Sequence, residues 1–249
     1  MRRFDGKSVF LTGAASGIGR ATALRLAEEG ARLLICDVSE EGLAATASAA
    51  ARFGGEVVAE LCDVSDEAAV KALIASTAER FGGLDVLANV AGIIRYDNTH
   101  ELALSDWNRV LAVNLTGTFL TCREALPHLL ASGGNIVNVA SIAATSGQPW
   151  AAAYAASKGG VLALTYNLAV DYAHQGLRAN AILPGGITSG MTESFYMPDG
   201  VDPKLLNRAM PMTGLIGPEA ISGVIAMVAS SDGMHINGES IRVDGATKA

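Results

Sequence analysis

The sequence contains few cysteines, and they lie far apart. Cys36, Cys62 and Cys122 are the only three in 249 residues, and their spacing matches neither a disulfide framework nor a metal-ligand motif. The four histidines form no paired motif either. We therefore expect a reduced, cytosolic (cytoplasmic) protein that binds no metal ion.

Long apolar runs and an excess of positive charge are also absent. No stretch reaches the roughly 18 uninterrupted apolar residues of a membrane span, and the N-terminal "MRRFDGKSVF" turns polar too early for a signal peptide. The net charge of −7 counts against non-specific nucleic-acid binding, which requires a basic patch. Neither a membrane nor a nucleic acid is therefore an expected partner.

What the sequence does contain is an alternation of short apolar runs with helix-like stretches, in a chain long enough for one α/β domain. Strands are predicted at 8–13, 31–37, 56–63, 84–92, 135–141, 177–185 and 239–245. Helices are predicted at 17–30, 40–53, 66–81, 105–131 and 151–174, with Ser65 as the N-cap of the third. This pattern predicts a doubly wound parallel sheet in a single domain, the Rossmann fold, with helices on both faces.

A glycine-rich turn joins the first predicted strand to the first predicted helix. Its sequence is "TGAASGIG" at 12–19, in which Gly13, Gly17 and Gly19 allow a tight backbone turn. A pyrophosphate can then approach the helix N-terminus, where unpaired N–H groups attract anions. Tight packing of strand on helix would also explain these glycines, but their position after the first strand of an α/β pattern favours a nucleotide.

An aspartate ends each of the next two predicted strands. Asp37 lies 18 residues after Gly19, where a carboxylate accepts hydrogen bonds from an adenosine ribose and repels a 2′-phosphate. No lysine or arginine occupies 14–16, 38 or 39, so NAD is expected rather than NADP. The alternative is that Asp37 only caps its loop. Asp63 ends the third strand in the same way, within reach of an adenine ring.

Tyr154 and Lys158 lie four residues apart in the predicted helix 151–174, which places them on one face, one turn apart. Oxidation of an alcohol to a ketone requires a base for the hydroxyl proton while a hydride leaves. Tyrosine, with a pKa of about 10, is a poor base near neutrality, and a lysine cation one turn away would lower that pKa. The alternative is a core tyrosine and an exposed lysine at this spacing by chance.

These motifs appear in an order that resembles the short-chain dehydrogenase/reductase family in its compact single-domain form. The resemblance covers essentially the whole chain and is carried by "TGAASGIG", Asp63-Val64, "NVAG" at 89–92, Asn114, Ser141, Tyr154, Lys158 and "PGGI" at 184–187. It implies an enzyme that acts on CH–OH donors with NAD as acceptor, and a homotetramer in which the long helices pair.

The resemblance also implies roles for individual residues. Tyr154 would be the general acid/base, Ser141 would hydrogen-bond the substrate oxygen, and Asn114 would hold a water linking Lys158 to solvent. Lys158 would also bind the nicotinamide ribose. The implied cofactor contacts are Gly13, Ser16, Gly17, Ile18, Gly19, Asp37, Asp63, Val64, Asn89, Ala91, Gly92, Tyr154, Lys158, Pro184, Gly185, Ile187 and Ser189, the last standing where the family usually has threonine.

The segment 189–217 is predicted to form a substrate lid on the single domain 1–249. It is rich in methionine and aromatic residues, which indicates either an apolar substrate face or packing on the body or on a neighbouring subunit. Gln148 and Trp150 are expected near the pocket mouth, and Arg95 either meets an anionic substrate or is solvated.

The expected function is therefore NAD(H)-dependent interconversion of a secondary alcohol and a ketone, with a small-molecule alcohol or ketone as substrate. Two alternatives stay open. One is an NADPH-dependent 3-oxoacyl thioester reductase, which Asp37 disfavours. The other is a non-catalytic dinucleotide-binding regulatory protein, which the presence of Ser141, Tyr154 and Lys158 disfavours.

Overall fold

Seven parallel strands form one sheet in the order β3-β2-β1-β4-β5-β6-β7 in the computed structural model, which describes residues 2–188 and 195–249. The strands are β1 (Ser8–Thr12), β2 (Arg32–Asp37), β3 (Val57–Leu61), β4 (Val86–Asn89), β5 (Asn135–Val139), β6 (Arg178–Pro184) and β7 (Ser240–Val243). The chain order reverses between β1 and β4, the point at which ligands bind in doubly wound sheets. The predicted Rossmann fold is confirmed.

Helices cover both faces of this sheet. They are α1 (Gly17–Glu28), α2 (Glu40–Ala51), α3 (Glu67–Phe81), α4 (Leu104–Leu111), α5 (Gly117–Ser132), α6 (Ala152–Tyr172) and α7 (Glu219–Ala229). Along β1, Val9 and Leu11 face the core beneath α1, α2 and α7, whereas Phe10 faces the core beneath α3, α5 and α6. Because both faces of the central strands are covered, these strands carry apolar residues on both faces rather than at alternate positions only.

The start of α3 differs from the prediction that Ser65 is its N-cap. Asp66 is the N-cap, and its carboxylate accepts a hydrogen bond from the Ala69 amide at 3.0 Å. The Ser65 hydroxyl is already engaged, because it donates to the Asp63 carboxylate at 2.6 Å. Competition from the neighbouring carboxylate therefore moves the cap one residue along the chain.

The predicted helix 105–131 is not continuous. A π-helical segment, Ala112–Thr116, joins α4 to α5 and contains Asn114. An inserted residue in a helix rotates the side chains around it, and such segments recur at functional sites. Hydrophobic periodicity does not predict this interruption, because the flanking helical turns keep their apolar face.

None of the helices among residues 2–188 and 195–249 is both long and apolar enough to cross a membrane. All three cysteines carry free thiols in buried positions.

Candidate active site

The glycine-rich turn between β1 and α1 packs closely on the neighbouring backbone. Gly13 has φ +71°, and a Cβ there would lie 2.7 Å from the Ala91 backbone on the neighbouring loop. A Cβ at Gly19 would overlap the Gly13 carbonyl oxygen. The Ser16 side chain does not cap the N-terminus of α1. The backbone of the turn therefore packs closely on the neighbouring loop. The amides at the N-terminus of α1 donate no hydrogen bond to the Ser16 hydroxyl, and such helix termini bind phosphate.

Asp37 stands at the carboxyl end of β2 and makes three backbone hydrogen bonds. Its carboxylate accepts from the Ala15 amide at 3.0 Å, from Val38 at 2.7 Å and from Ser39 at 3.1 Å. The residue thus caps its own loop and ties that loop to the glycine-rich turn. Asp37 also lines a cleft at the carboxyl edge of the sheet. It therefore caps its loop and, at the same time, stands where it could bind a ribose.

Asp63, near the start of the loop after β3, is paired with an arginine that the sequence analysis does not identify. The Arg109 guanidinium on α4 donates to Asp63 at 3.1 Å and to the Ser65 hydroxyl at 3.2 Å. The hydrogen bond from Ser65, followed by that from Arg109, lowers the pKa of the Asp63 carboxyl. Arg109 and Asp63 are 46 residues apart, and no motif links them.

Ser141, Tyr154 and Lys158 meet at the carboxyl edge of β5. Ser141 follows β5, is buried, and accepts a hydrogen bond from the Ala143 amide at 3.1 Å. Lys158 is also buried, with its ammonium donating to the Val139 carbonyl at 2.8 Å and lying 5.8 Å from the Tyr154 ring centre. The four-residue spacing therefore does place both side chains on one face of α6, turned inward.

Burial shifts the pKa values of both Tyr154 and Lys158. It raises the pKa of the Tyr154 phenol, an effect that a hydrogen bond with Ser141 opposes. Burial also lowers the pKa of the Lys158 ammonium from 10.5 to about 8. This differs from the expectation that Lys158 lowers the pKa of Tyr154, because desolvation of the phenolate is the larger effect and Ser141 is the residue that opposes it.

Asn114 lies behind this pair, held by the π-helical segment. Its side-chain amide donates to the Ile93 carbonyl at 2.9 Å and to the Ser157 hydroxyl at 3.0 Å, while its oxygen accepts from the Ile93 amide at 2.8 Å. A Cβ at Gly92 would lie 3.3 Å from both the Asn114 oxygen and the Lys158 nitrogen. Gly92 therefore marks a narrow space that those two polar atoms share.

Comparison with known proteins agrees with this architecture. Residues 13–247 match the family model described as "Enoyl-(Acyl carrier protein) reductase", a model of the short-chain dehydrogenase/reductases. The chain belongs to the short-chain dehydrogenase/reductase family. It is therefore an oxidoreductase by family, and the resemblance noted in the sequence is confirmed.

Its relatives in the short-chain dehydrogenase/reductase family carry different names. The chain is 40% identical to the 3beta-hydroxysteroid dehydrogenase of Mediterraneibacter gnavus, over 98% of this chain and 96% of the relative. It is 36% identical to the 3-oxoacyl-[acyl-carrier-protein] reductase of Thermotoga maritima, over 98% of both. The crystal structure of levodione reductase superposes with a TM-score of 0.90 at 37% identity, over 98% of both chains.

Solved members of the family hold either cofactor. Carveol dehydrogenase from Mycobacterium avium, 28% identical with a TM-score of 0.89 over 99% of both chains, is in complex with NAD. A short-chain dehydrogenase from Burkholderia cenocepacia, 32% identical with a TM-score of 0.90, is in complex with NADP and matches over 99% of this chain and 100% of that one. The family binds a nicotinamide dinucleotide, and membership alone does not choose between the two.

In this short-chain dehydrogenase/reductase, most of the predicted cofactor contacts line one cleft of about 320 Å³. Those lining it are Gly13, Ser16, Gly17, Ile18, Gly19, Asp37, Asp63, Val64, Ala91, Gly92, Tyr154, Lys158, Pro184, Gly185 and Ile187, together with Ser141. Ser189 lies outside the described residues. Val90, Ile93 and Arg109 line the same cleft without having been predicted.

Asn89 does not line this cleft. It is buried, its amide donates to the Asn138 side chain at 2.9 Å, and its oxygen accepts from Thr121 at 2.7 Å. Thr121 lies on α5 and Asn138 on the neighbouring strand β5, so the Asn89 side chain takes part in the packing of α5 on the sheet. The adjacent Val90 and Ala91 amides instead donate to the Thr12 hydroxyl at 3.0 and 3.1 Å, which joins the two loops at the switch point.

Arg95, considered for an anionic substrate, is paired within the chain. Its guanidinium lies 3.2 Å from the Asp97 carboxylate and 3.6 Å from that of Asp106. It also stacks over the Tyr196 ring at 5.5 Å. Two carboxylates therefore balance its charge. The part of the predicted lid that the structure describes starts at Phe195, and Met191 falls outside it.

Proposed function

We propose that this chain is an NAD(H)-dependent oxidoreductase that interconverts a secondary alcohol and a ketone, with Tyr154 as general acid/base. The observation that carries the proposal is the meeting of Ser141, Tyr154 and buried Lys158 at the edge of the cleft that Asp37 also lines. A proton-transfer group and a dinucleotide site thus share one cavity, as hydride transfer to or from a carbinol carbon requires.

The residues present fit a nicotinamide dinucleotide. Glycine at 13 and 19 lets the turn pack tightly where a Cβ would overlap neighbouring backbone, and the start of α1 lines the cleft at Ser16 and Gly17, where a pyrophosphate would meet the helix N-terminus. Asp37 would hold the adenosine ribose, and Lys158 and Ile187 would hold the nicotinamide end. When bound there, nicotinamide supplies the acceptor or donor of a hydride.

Within the chain, Tyr154 handles the proton. In oxidation its phenolate oxygen takes the substrate hydroxyl proton, and in reduction its phenol returns a proton to the alkoxide. Ser141 donates a hydrogen bond to the same substrate oxygen. Because burial raises the pKa of Tyr154, oxidation is favoured at alkaline pH and reduction is retained at neutral pH. Asn114, beside the space at Gly92, would hold the water that connects Lys158 to solvent.

The choice of NAD over NADP rests on Asp37. A carboxylate at the end of β2 accepts bonds from ribose hydroxyls, and it repels a 2′-phosphate at close range. The neighbouring Val38 and Ser39 provide no cation to offset that repulsion. These facts support NAD, and they count against the NADPH-dependent 3-oxoacyl thioester reductase that the name of one relative suggests.

A homotetramer is the quaternary state that we propose, with a cytosolic location in keeping with three reduced cysteines. Support for pairing of the long helices comes from large apolar side chains exposed on them: Phe119 on α5, and Tyr166 and Val170 on α6. Light scattering should give about four times the 25.5 kDa chain mass. A monomeric mass at micromolar concentration would contradict this part of the proposal.

The decisive experiment is an assay of the purified protein against a panel of secondary alcohols and ketones. Reduced-nicotinamide absorbance is followed with NAD and with NADP in separate reactions. We expect turnover with NAD and a much lower kcat/KM with NADP. Turnover restricted to NADP and 3-oxoacyl thioesters would establish the reductase alternative. Tight NAD binding without turnover of any alcohol would establish the regulatory alternative.

A further inference from the structure

Aromatic residues are scarce in this chain, at 5% of the sequence, yet several meet beside the proposed catalytic residues. The rings of Tyr96 and Phe195 pack edge to face with centres 4.8 Å apart, and Trp150 is tilted against Phe195 at 6.5 Å. Tyr196 packs on Tyr96 at 6.2 Å and donates from its hydroxyl to the Tyr96 carbonyl. We refer to Tyr96, Trp150 and Phe195 as the aromatic wall.

The aromatic wall is built from the loops that follow three neighbouring strands. Tyr96 comes after β4, Trp150 after β5 and Phe195 after β6. The same loops supply Ile93, Ser141 and Ile187 to the cleft. Because the carboxyl ends of parallel strands share one edge of a sheet, the wall stands at the edge where the proposed reaction takes place.

Tyr96 connects the wall to the catalytic residues. Its side chain is buried, and burial together with the nearby Tyr154 raises its pKa to about 12. Tyr96 also lies three residues after Ile93, which lines the same cleft as Tyr154. A substrate oxygen held between Ser141 and Tyr154 would leave the rest of the substrate to extend toward the loops that carry the wall.

Trp150 reaches this position through an unusual backbone conformation. Its φ is +57°, a value that bulky side chains rarely adopt. The Trp150 carbonyl accepts a hydrogen bond from the Asp97 amide at 2.8 Å, which ties its loop to that of Tyr96. Strained conformations of this kind persist where the surroundings hold them, and they concentrate at functional sites.

The charge next to the wall is already balanced. Arg95 interacts with the carboxylates of Asp97 and Asp106 and stacks on Tyr196. Aromatic faces without a free cation from Arg95 favour an apolar substrate surface over a phosphate or carboxylate. An open-chain polyol would have to bury hydroxyl groups against these rings, which costs free energy unless each finds a partner.

We propose that the substrate is an uncharged alicyclic secondary alcohol, or its ketone, whose ring packs against the aromatic wall, and that Trp150 is a specificity-determining residue. This rests on the proposed function. In oxidation the ring carbon loses a hydride, with its electron pair, to the nicotinamide, and the hydroxyl proton passes to Tyr154. The C–H and O–H bonds break as the C=O bond forms, so the alcohol loses the two electrons that the nicotinamide gains.

The test compares cyclohexanol and 2-decalol with 2-hexanol and 2,3-butanediol, using NAD. In the parent protein we expect the ring alcohols to have a kcat/KM at least about tenfold higher than the open-chain alcohols. Trp150→Gly removes the ring at a φ that glycine adopts readily. It should lower kcat/KM at least about tenfold for ring alcohols, through KM, and change it less than about threefold for 2-hexanol. Trp150→Phe should retain most of the preference.

Phe53→Leu, at the end of α2, is the matched control and should leave both classes of alcohol unaffected. A binding measurement complements the rates. Trp107→Phe leaves Trp150 as the only tryptophan, so cyclohexanone should change the fluorescence of the NAD complex. Preference for open-chain alcohols, an equal loss for both classes in Trp150→Gly, or no fluorescence response would overturn this inference while the proposed function stands. No turnover of any alcohol with NAD would instead remove the proposed function.

Discussion

The two ends of the cleft treat charge in opposite ways. At the end proposed to bind adenosine (the adenosine end), the Asp63 carboxylate is partly exposed and lies 3.1 Å from the Arg109 guanidinium. At the end proposed to transfer protons (the catalytic end), Lys158 is 4% exposed and its ammonium donates to a neutral partner, the Val139 carbonyl. The charge of Asp63 is therefore paired with an opposite charge, whereas the charge of Lys158 is buried and bonded to a neutral carbonyl.

This difference suits each end to a separate task. Hydrogen bonds from Ser65 and Arg109 lower the pKa of Asp63, so its charge is retained across the neutral range. Burial lowers the pKa of Lys158 to about 8, so the charge at the catalytic end changes close to the neutral range. A site that holds a ligand needs constant charge, whereas a site that moves protons needs groups that titrate near the working pH.

The largest expected effect is at the catalytic end, from Tyr154→Phe. The change keeps the ring and removes the oxygen that transfers the proton. We expect kcat to fall by about 10²–10⁴ in both directions, with the Kd for NAD nearly unchanged by calorimetry. Tyr172→Phe, at the far end of the same helix and outside the cleft, is the control and should keep parental activity. Undiminished turnover in Tyr154→Phe would show that another group transfers the proton.

Lys158→Met tests how much the buried ammonium lowers the free energy of unfolding. Its pKa is about 8 folded against 10.5 for an ordinary lysine, so below pH 8 the folded protein carries the full penalty, on the order of 3 kcal/mol. Between these values the unfolded chain binds more protons, and stability rises with pH. Urea unfolding of the ligand-free protein from pH 6 to 10 should show this rise, and Lys158→Met should be more stable at pH 7 and lack it.

Lys71→Met, at an exposed position of α3, is the control for this measurement and should keep the parental pH dependence. The same slope in Lys158→Met as in the parent would mean that other groups cause the rise.

Asp37→Asn is expected to have an intermediate effect, at the adenosine end. The amide keeps the shape of the side chain but removes its charge. We expect the Kd for NAD to rise about tenfold and the preference for NAD over NADP to shrink by at least as much, since bonds to a charged acceptor contribute about 1.5–3 kcal/mol. Titration calorimetry with both nucleotides measures this. Glu60→Gln on β3 is the control, and an unchanged preference in Asp37→Asn would remove the role given to Asp37.

The smallest expected effect is that of Arg109→Gln. An ion pair with both side chains partly exposed contributes less than about 1 kcal/mol, so the urea midpoint should shift little. The Kd for ADP-ribose should rise by less than about fivefold, and less at high salt because charges are screened. Arg80→Gln breaks an exposed pair with Glu56 outside the cleft and should leave ADP-ribose binding unaltered. A loss of binding as large as that of Asp37→Asn would place Arg109 among the principal adenosine contacts.

The ends of the helices were predicted less well from the sequence than the helices themselves. The predicted first helix ran to Gly30, but α1 ends at Glu28, because a boundary depends on the hydrogen bonds of the last turn and not on apolar periodicity. The N-cap of α3 moved from Ser65 to Asp66 because Asp63 holds the Ser65 hydroxyl. Both differences come from local competition for hydrogen bonds, which residue preferences do not resolve.

Contacts between residues that are far apart in the sequence were not predicted either. Arg109 on α4 pairs with Asp63 in the loop after β3, and Tyr96 meets Phe195 from the far side of the sequence. Asn89 shows the converse: it belongs to a motif, yet its side chain bonds with Thr121 on α5 and with Asn138 on the neighbouring strand. A motif gives the position of a residue in the chain but not the direction of its side chain.

The sequence by itself determined the parallel sheet, the glycine turn, Asp37 at a strand end, and the one-turn spacing of Tyr154 and Lys158. These follow from local rules: strand and helix periodicity, the conformational freedom of glycine, and the carboxyl-edge geometry of parallel strands. Only the tertiary structure decided that Lys158 is buried beside a neutral carbonyl, and that burial raises the pKa of Tyr154. Desolvation depends on everything packed around a group, and that is settled only when distant segments meet.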